Sequence, residues 1–406
     1  MMRSELTDSS VAPTPDENVR PTFLPFSPPS VGPEEIAEVV AALQSDWITT
    51  GPRTQEFART FADSVGAPAA LALNSCTAGL HVALATLGIG AGDEVITTPM
   101  TFCSSANVIV HVGATPVLAD VEPDTLNLCP TEVAKRITPR TRAIIAVHYA
   151  GHPAELTALR AIADQHGLAL IEDAAHAYPA AYRGTPIGGG SNPVAFSFYA
   201  TKNLTTGEGG MLTGDAEFLD RARIVSLHGM SRDAWKRYAK GGSWHYDVVL
   251  PGFKYNMTDL AAALGLVQLR RMGDLQRRRQ EVVNAYMAGF AELAAEGLLE
   301  LPVHRPHVDH AWHLFVLRLR PDRLRIGRDA FITAMTEQNI ATSVHFIPVH
   351  LHPYYRDRYG FAPTDFPVAY DAYSRMVSLP LHPRLADGDV ADVIAAVHRI
   401  VRANRL

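Results

Sequence analysis

The stretch Phe196-Ser197-Phe198-Tyr199-Ala200-Thr201-Lys202-Asn203-Leu204-Thr205-Thr206-Gly207-Glu208-Gly209-Gly210 sets one lysine between a compact apolar run and a polar, glycine-rich turn. Upstream, Leu168-Ala169-Leu170-Ile171 ends in Glu172-Asp173. Both runs have the length and composition of buried strands. The flanking chain repeats the pattern. Strand-like Ala70–Leu73, Glu94–Thr97, Thr115–Asp120, Ala143–Val147 and Leu168–Glu172 alternate with helical Thr77–Leu87, Phe102–Val112 and Glu155–His166. This alternation predicts an α/β fold with a mostly parallel sheet flanked by helices. Open sheets of that kind bind ligands beyond the C-terminal ends of their strands, which is where Asp173 stands.

At 406 residues the chain exceeds one small core, and two domains are expected. Residues 1–24 are polar and rich in Pro and Ser, and read as a disordered arm. Residues 25–272 form the expected large domain. A helix is expected after Pro33, with Glu34 and Glu35 in its first turn and Ile36, Val39, Val40 and Leu43 on its apolar face. Residues 258–296 read as one or two long helices leading into a smaller α+β domain over 273–406. There, Leu314–Leu319 and Thr342–Ile347 are strand-like, and Arg328–Gln338 and Asp389–Ala403 helical.

Apolar content of 47% and charged content of 19% fit an ordinary globular protein. A net charge of -6 disfavours nucleic acid or an anionic membrane as the main partner. Cys76, Cys103 and Cys129 are too few for a disulfide framework, so a reducing, cytoplasmic setting is expected. No apolar run approaches ~20 residues, and no basic-then-apolar secretory pattern opens the chain.

The chemistry centres on Lys202. A solvated surface lysine is the ordinary alternative, but the aromatic and glycine flanks suggest a buried cleft, where desolvation lowers an amine pKa and frees the nucleophile. Asp173 could be a cap or turn residue. Together the two meet the needs of pyridoxal phosphate (PLP): the lysine bonds to the cofactor aldehyde, and the aspartate keeps the pyridine nitrogen protonated, making the ring an electron sink. His176, three residues on, is within reach of the same group, although a lone histidine is more often structural. Asn74-Ser75-Cys76-Thr77-Ala78-Gly79 precedes a helix, and a helix N-terminus suits a phosphate; Ser and Thr also cap many helices without binding anything. Phe102 reads equally as core packing or as a ring stacked on a cofactor. His307, His310 and His313, and His345, His350 and His352, invite a metal reading. No Cys or carboxylate completes a zinc spacing, so no metal is expected and the histidines fit a substrate cleft better.

The ordered motifs Asn74–Gly79, Glu172-Asp173-Ala174-Ala175-His176, Ser197–Leu204, Gly207-Glu208-Gly209-Gly210 and Gly252-Phe253-Lys254-Tyr255-Asn256-Met257-Thr258-Asp259 resemble the DegT-type nucleotide-sugar aminotransferases, in the fold-type I group of PLP enzymes. The likeness runs from about Pro25 to the C-terminus and takes in Trp47-Ile48-Thr49-Thr50-Gly51-Pro52 and Ser378-Leu379-Pro380-Leu381. It implies a fold-type I large domain and a smaller C-terminal domain. Lys202 matches the cofactor-bonding lysine and Asp173 the pyridine-nitrogen partner. His176 matches a position near the ring hydroxyl, Cys76, Thr77 and Ser197 phosphate-binding positions, and Phe102 the stacking aromatic. Cys76 replaces a commoner Gly or Ala, a change that a backbone contact tolerates. Asn256 matches a residue that reaches the phosphate from the neighbouring subunit, which implies a homodimer with shared sites. Thr50, His313, His345 and Phe346 fall at substrate positions.

The implied reaction takes an amino group from L-glutamate, passes through pyridoxamine phosphate, and aminates C4 of a nucleotide-linked 4-keto sugar. His148-Tyr149-Ala150-Gly151, Gly252–Asn256, His310-Ala311-Trp312-His313-Leu314-Phe315 and Val344-His345-Phe346 most resemble the enzymes that make UDP-4-amino-4-deoxy-arabinose, which favours a UDP-linked sugar and a pentose. Ile347–Tyr355 also fits relatives acting on dTDP-4-keto-6-deoxyhexoses. A non-catalytic PLP- or sugar-nucleotide-binding regulator is the alternative of another class. The intact Lys202 disfavours it, as it does the related sugar dehydratases, which carry His there. A cysteine desulfurase would need a reactive Cys downstream, and all three cysteines precede Asp173. Secondary metabolism or a surface glycan is the expected context.

Overall fold

The computed structural model describes residues 19–231 and 245–406. Helices α1 (Pro33–Leu43) and α2 (Pro52–Val65) lead into β1 (Ala69–Leu73), α3 (Cys76–Thr86), β2 (Glu94–Thr97), α4 (Ser104–His111) and β3 (Thr115–Leu118). The alternation continues through α5 (Pro130–Arg136), β4 (Thr141–Val147), α6 (Leu156–His166) and β5 (Ala169–Asp173). A small hairpin, β6 (Ala181–Tyr182) and β7 (Thr185–Pro186), precedes β8 (Val194–Ser197), β9 (Gly210–Gly214) and α7 (Ala216–Ser226). After α8 (Asp259–Ala295) come β10 (Leu299–Glu300), β11 (Val308–Asp309), β12 (Phe315–Leu319), α9 (Arg328–Glu337), α10 (Pro353–Tyr359), α11 (Pro367–Arg375), β13 (Met376–Leu379) and α12 (Asp387–Ala403).

The main sheet has seven strands in the order β1-β9-β8-β5-β4-β2-β3. Only β9 runs against the others, pairing antiparallel with β1 and β8. This is the mixed, mostly parallel sheet expected. β10, β12 and β13 form a second sheet, and β11 joins the hairpin in a third.

Alternation along β8 orients the site. Phe196 enters an aromatic cluster with Phe57, Phe61, Tyr178 and Phe198, while Ala195 faces the opposite side against α3. Burying each such ring stabilises the layer by roughly 2–3 kcal/mol. α2 packs closely on α8 because Gly265 leaves room: a Cβ there would lie 2.6 Å from the Phe57 ring. The 37-residue α8 is one continuous helix. Its first half adds Leu266, Met272 and Leu275 to the large-sheet core, and its second half adds Val283, Tyr286 and Phe290 to the core around β12 and α12.

Three expectations change. The apolar side of α1 points outward, with Ile36 60% and Leu43 58% exposed, while Glu35 is fully buried. The reason is polar pairing: Gln268 Nε2 (2.7 Å), the Gly32 N–H (2.8 Å) and Arg271 all donate to the Glu35 carboxylate. Burial pushes this carboxyl up, but these donors outweigh it and hold it below the usual range. Thr342–Ile347 is not a strand; its ladder is confined to a bridge between Ser343 and Ser378 of β13. Residues 1–18 of the expected arm lie outside the described residues. In the remainder, Arg20 pairs with Asp389 (2.8 Å) and Asp392 (2.6 Å) of α12, and Leu24 is buried and bridges Ile340. Among the described residues, no helix is long and apolar enough to cross a membrane.

Candidate active site

β5 ends in two carboxylates that strand alternation sends to opposite faces. Glu172 accepts from Asn192 Nδ2 (2.8 Å) and meets His148 Nε2 at 3.1 Å. The Ala154 N–H donates to His148 Nδ1 (3.0 Å), so a neutral His148 carries its proton on Nε2 and donates it to Glu172. Asp173 faces the other side. Its Oδ2 accepts from Ser105 Oγ at 2.7 Å, and its Oδ1 accepts from the Ala175 N–H at 3.1 Å and lies 3.7 Å from Cys76 Sγ.

α3 starts beside this carboxylate. Ser75 caps it in an extended conformation, its Oγ accepting from the Ala78 N–H at 3.0 Å. The first-turn N–H groups of Cys76 and Thr77 have no intrahelical acceptor and add to the positive end of the helix dipole. The β9 backbone presses against this terminus at Gly210, where any Cβ would collide with the Ser75 carbonyl and the Cys76 nitrogen.

Lys202 sits on the turn after β8, which is closed by bonds from Lys202 N to Tyr199 O (2.9 Å) and from Thr206 N to Phe198 O (2.9 Å). Burial pushes its amine down to about 8, with the Asp173 charge acting in the opposite sense. Three imidazoles surround it. Burial, reinforced by Lys202, lowers His345 to about 4. Burial likewise drives His176 and His313 well below the usual histidine value. All three are therefore neutral at pH 7. His313 Nδ1 meets Asn203 Oδ1 at 3.2 Å; since Asn203 Nδ2 already donates to Ala311 O, His313 is the donor. His345 Nδ1 meets Ser378 Oγ at 2.9 Å.

One cavity of about 480 Å³ gathers Cys76, Thr77, Phe102, Asp173, His176, Ser197, Lys202, His313, His345 and Phe346. That volume suits a small-molecule ligand. Thr50 and Asn256 are not among its lining. They meet each other, Asn256 Nδ2 donating to Thr50 Oγ1 at 2.6 Å, in a second cavity of about 580 Å³ beside α2 and β1. Sequence reasoning missed Thr101, Ser105, Tyr199 and Glu208. Thr101 and Ser105 carried a signal: two small hydroxyls four residues apart around Phe102, at the start of an apolar helix. The histidine groups disperse: His307 pairs with Glu155 (3.0 Å), His310 stacks on Trp312, and His350 packs on Phe366. Among the described residues no group of three His, Cys, Asp or Glu side chains is placed to hold a metal ion.

The lining fits PLP. The buried Nδ1 of His176 has no partner among the described residues, which leaves it open to a ligand group such as the ring hydroxyl. Phe102 is 59% exposed, far more than a core aromatic, and its ring is free to stack. The close approach at Gly210 keeps the α3 N-terminus open for a phosphate.

A mostly parallel sheet with a lysine on the turn after β8 and a carboxylate closing β5 defines the fold-type I class of PLP-dependent transferases. Within that class the chain belongs to the DegT/DnrJ/EryC1/StrS aminotransferase family, whose pattern matches residues 29–398. It is a PLP-dependent sugar aminotransferase. It is 51% identical over 382 residues to the spore coat polysaccharide biosynthesis protein SpsC of Bacillus subtilis (strain 168), covering 94% of this chain and 97% of that protein. Spr1654 of Streptococcus pneumoniae, 36% identical, superposes in its PLP form with a TM-score of 0.86 over 94% of this chain and 99% of its own, and in its pyridoxamine phosphate form with 0.87 over 94% and 98%. The sugar aminotransferase CalS13 of Micromonospora echinospora is 30% identical, with a TM-score of 0.83 over 93% of this chain and 100% of its own.

Proposed function

We propose that this enzyme transfers the amino group of L-glutamate to C4 of a UDP-linked 4-keto pentose, for a surface glycan or a secondary metabolite. The observation that carries the transamination is the single cavity that lines Lys202, Asp173, His176 and Phe102 together with the open N-terminus of α3. The UDP and pentose assignments rest on the motif likeness at His148–Gly151, Gly252–Asn256 and Val344–Phe346. The naming of SpsC for spore coat polysaccharide biosynthesis favours the glycan context.

When bound, PLP supplies the electron sink and carries the amino group between the half-reactions as pyridoxamine phosphate. The residues around it do the rest. Asp173 holds the proton on the pyridine nitrogen. The Cys76 and Thr77 N–H groups and Ser197 hold the phosphate, and Phe102 stacks on the ring. Lys202 Nζ, its pKa lowered to about 8 by burial, would take the proton from the donor's Cα and return it to the aldehyde carbon of the cofactor. Neutral His313 and His345, with Phe346, line the same cavity and contact the sugar. They do so without adding charge. Thr50 and Asn256, which lie away from Lys202 in their own chain, serve the site of a second copy in a homodimer.

The test is spectroscopic. PLP-loaded protein should lose its long-wavelength band on addition of L-glutamate and regain it with UDP-4-keto-pentose. Regain only with dTDP-4-keto-6-deoxyglucose would move the substrate to 6-deoxyhexoses. No response to glutamate, or near-normal turnover by Lys202→Ala, would sink the mechanism. The shared site is tested by mixing inactive Lys202→Ala and Asn256→Ala chains: hybrid dimers should regain activity, and persistent inactivity would refute sharing.

A further inference from the structure

We propose that Ser105 is a positioning residue for this reaction: backed by Thr101, its hydroxyl holds the Asp173 carboxylate fixed for the cofactor nitrogen. This rests on the proposed role of Asp173.

Ser105 is fully buried in the first turn of α4. A carboxylate only accepts, so the 2.7 Å contact with Asp173 Oδ2 takes the single Ser105 proton. Thr101 Oγ1 lies 2.8 Å from Ser105 Oγ and must then donate to it. The other acceptor near Ser105, the Phe102 carbonyl, stands at 3.5 Å and competes poorly. The result is a one-way relay, Thr101 to Ser105 to Asp173, through three buried side chains, two of them, Thr101 and Asp173, at the cavity wall.

The two carboxylate oxygens are held differently. Oδ1 has the Ala175 N–H at 3.1 Å and the Cys76 thiol at 3.7 Å, and the thiol also meets Ala195 O at 3.4 Å. Oδ2 has Ser105. Two donors, Ser105 from the α4 start and the Ala175 N–H from the turn after β5, thus converge on one side chain, with the Cys76 thiol of the α3 start packed beside them. Hydrogen bonds to a carboxylate favour its charged form, and losing the hydroxyl leaves a buried oxygen short of a donor.

The experiment compares Ser105→Ala, Ser105→Thr, Thr101→Val and Asp173→Asn, prepared without cofactor and titrated with PLP. Two properties are read: the PLP dissociation constant and the pH midpoint of the bound cofactor's absorption. Ser105→Ala should weaken PLP binding about tenfold or more, as expected for a lost bond to a charged group, and shift the pH midpoint. The Tm of the cofactor-free protein should fall modestly in Ser105→Ala, because a buried carboxylate oxygen loses its donor. Ser105→Thr should restore both properties, and Thr101→Val should move them the same way by less. If Asp173→Asn weakens binding while Ser105→Ala and Thr101→Val behave as wild type, the Ser105 role is overturned and that of Asp173 stands. If Asp173→Asn itself binds PLP as wild type, both fail. Equal damage in Ser105→Ala and Ser105→Thr, with the cofactor-free Tm lowered equally in both, would reduce Ser105 to packing.

Discussion

Glu172 and Asp173 are neighbours on β5, yet their carboxylates serve opposite faces of the central sheet. One is tied to His148 and Asn192, the other to Ser105 and the Ala175 N–H. The first anchors β5 to β4 and to the start of β8, and so sets the height at which the second meets the cavity. Between them the pair divides structural and chemical work.

Glu172→Ala should destabilise the fold by about 2–3 kcal/mol, because a buried imidazole N–H and a buried amide lose their acceptor. Urea unfolding would measure this. An unchanged midpoint would mean that water replaces the carboxylate at no cost.

Lys202 in the cofactor-free protein should react with acetic anhydride as an amine titrating at about 8. Ordinary lysines titrate near ~10.4. Competitive labelling across pH 6–11, read by peptide mass, gives the midpoint. A midpoint matching the surface lysines would show that the amine is not desolvated.

His345 titrates at about 4 in the fold, against 6.5 when unperturbed. Between those values the unfolded chain holds a proton that the folded chain does not. Stability therefore rises with pH across this window and is lost as pH falls through it. His345→Asn should reduce the loss of stability between pH 6.5 and 4, leaving the contributions of His176 and His313 in place. Identical acid profiles for the variant and the wild type would contradict the shift.

Gly210→Ala should push β9 away from the N-terminus of α3, since the new Cβ meets backbone rather than a flexible side chain. Overpacking of this kind costs about 1–3 kcal/mol, and the phosphate cradle distorts with it. We expect a lowered Tm together with weaker PLP binding. Loss of stability with unchanged PLP affinity would separate Gly210 from the cradle.

Ser75→Ala removes the side-chain cap of α3 and should cost about 1 kcal/mol. Chemical denaturation checks this directly. A change within error would mean that the tight packing of α3 against β8 and β9 holds the helix start without it.

Much of the fold was legible because its signals are local. Short apolar runs ending in Asp173 and before Lys202 announce strands of a parallel sheet, and Ser75 before an apolar helix announces a capped N-terminus. Other parts were illegible for equally physical reasons. Ile36, Val40 and Leu43 have helical spacing, but spacing cannot say which face is inward. The inward face of α1 is set by the Glu35 partners Gln268 and Arg271, over two hundred residues away. Thr342–Ile347 has strand composition, yet its ladder stops at Ser343. The spacing of Thr101 and Ser105 was visible, but the link of Ser105 to Asp173 was not, because that partner comes from a strand far along the chain.

The sequence by itself determined the sheet type, the two ionisable groups at strand ends, and the eight residues that share the cavity with them. These depend on periodicity and on motif, both carried by short stretches of chain. Only the tertiary structure decided that Thr50 and Asn256 stand together in a separate cavity, that three histidines around Lys202 are neutral, and that Asp173 is gripped by Ser105. Those properties depend on desolvation and on contacts between distant segments, which arise only when the elements pack.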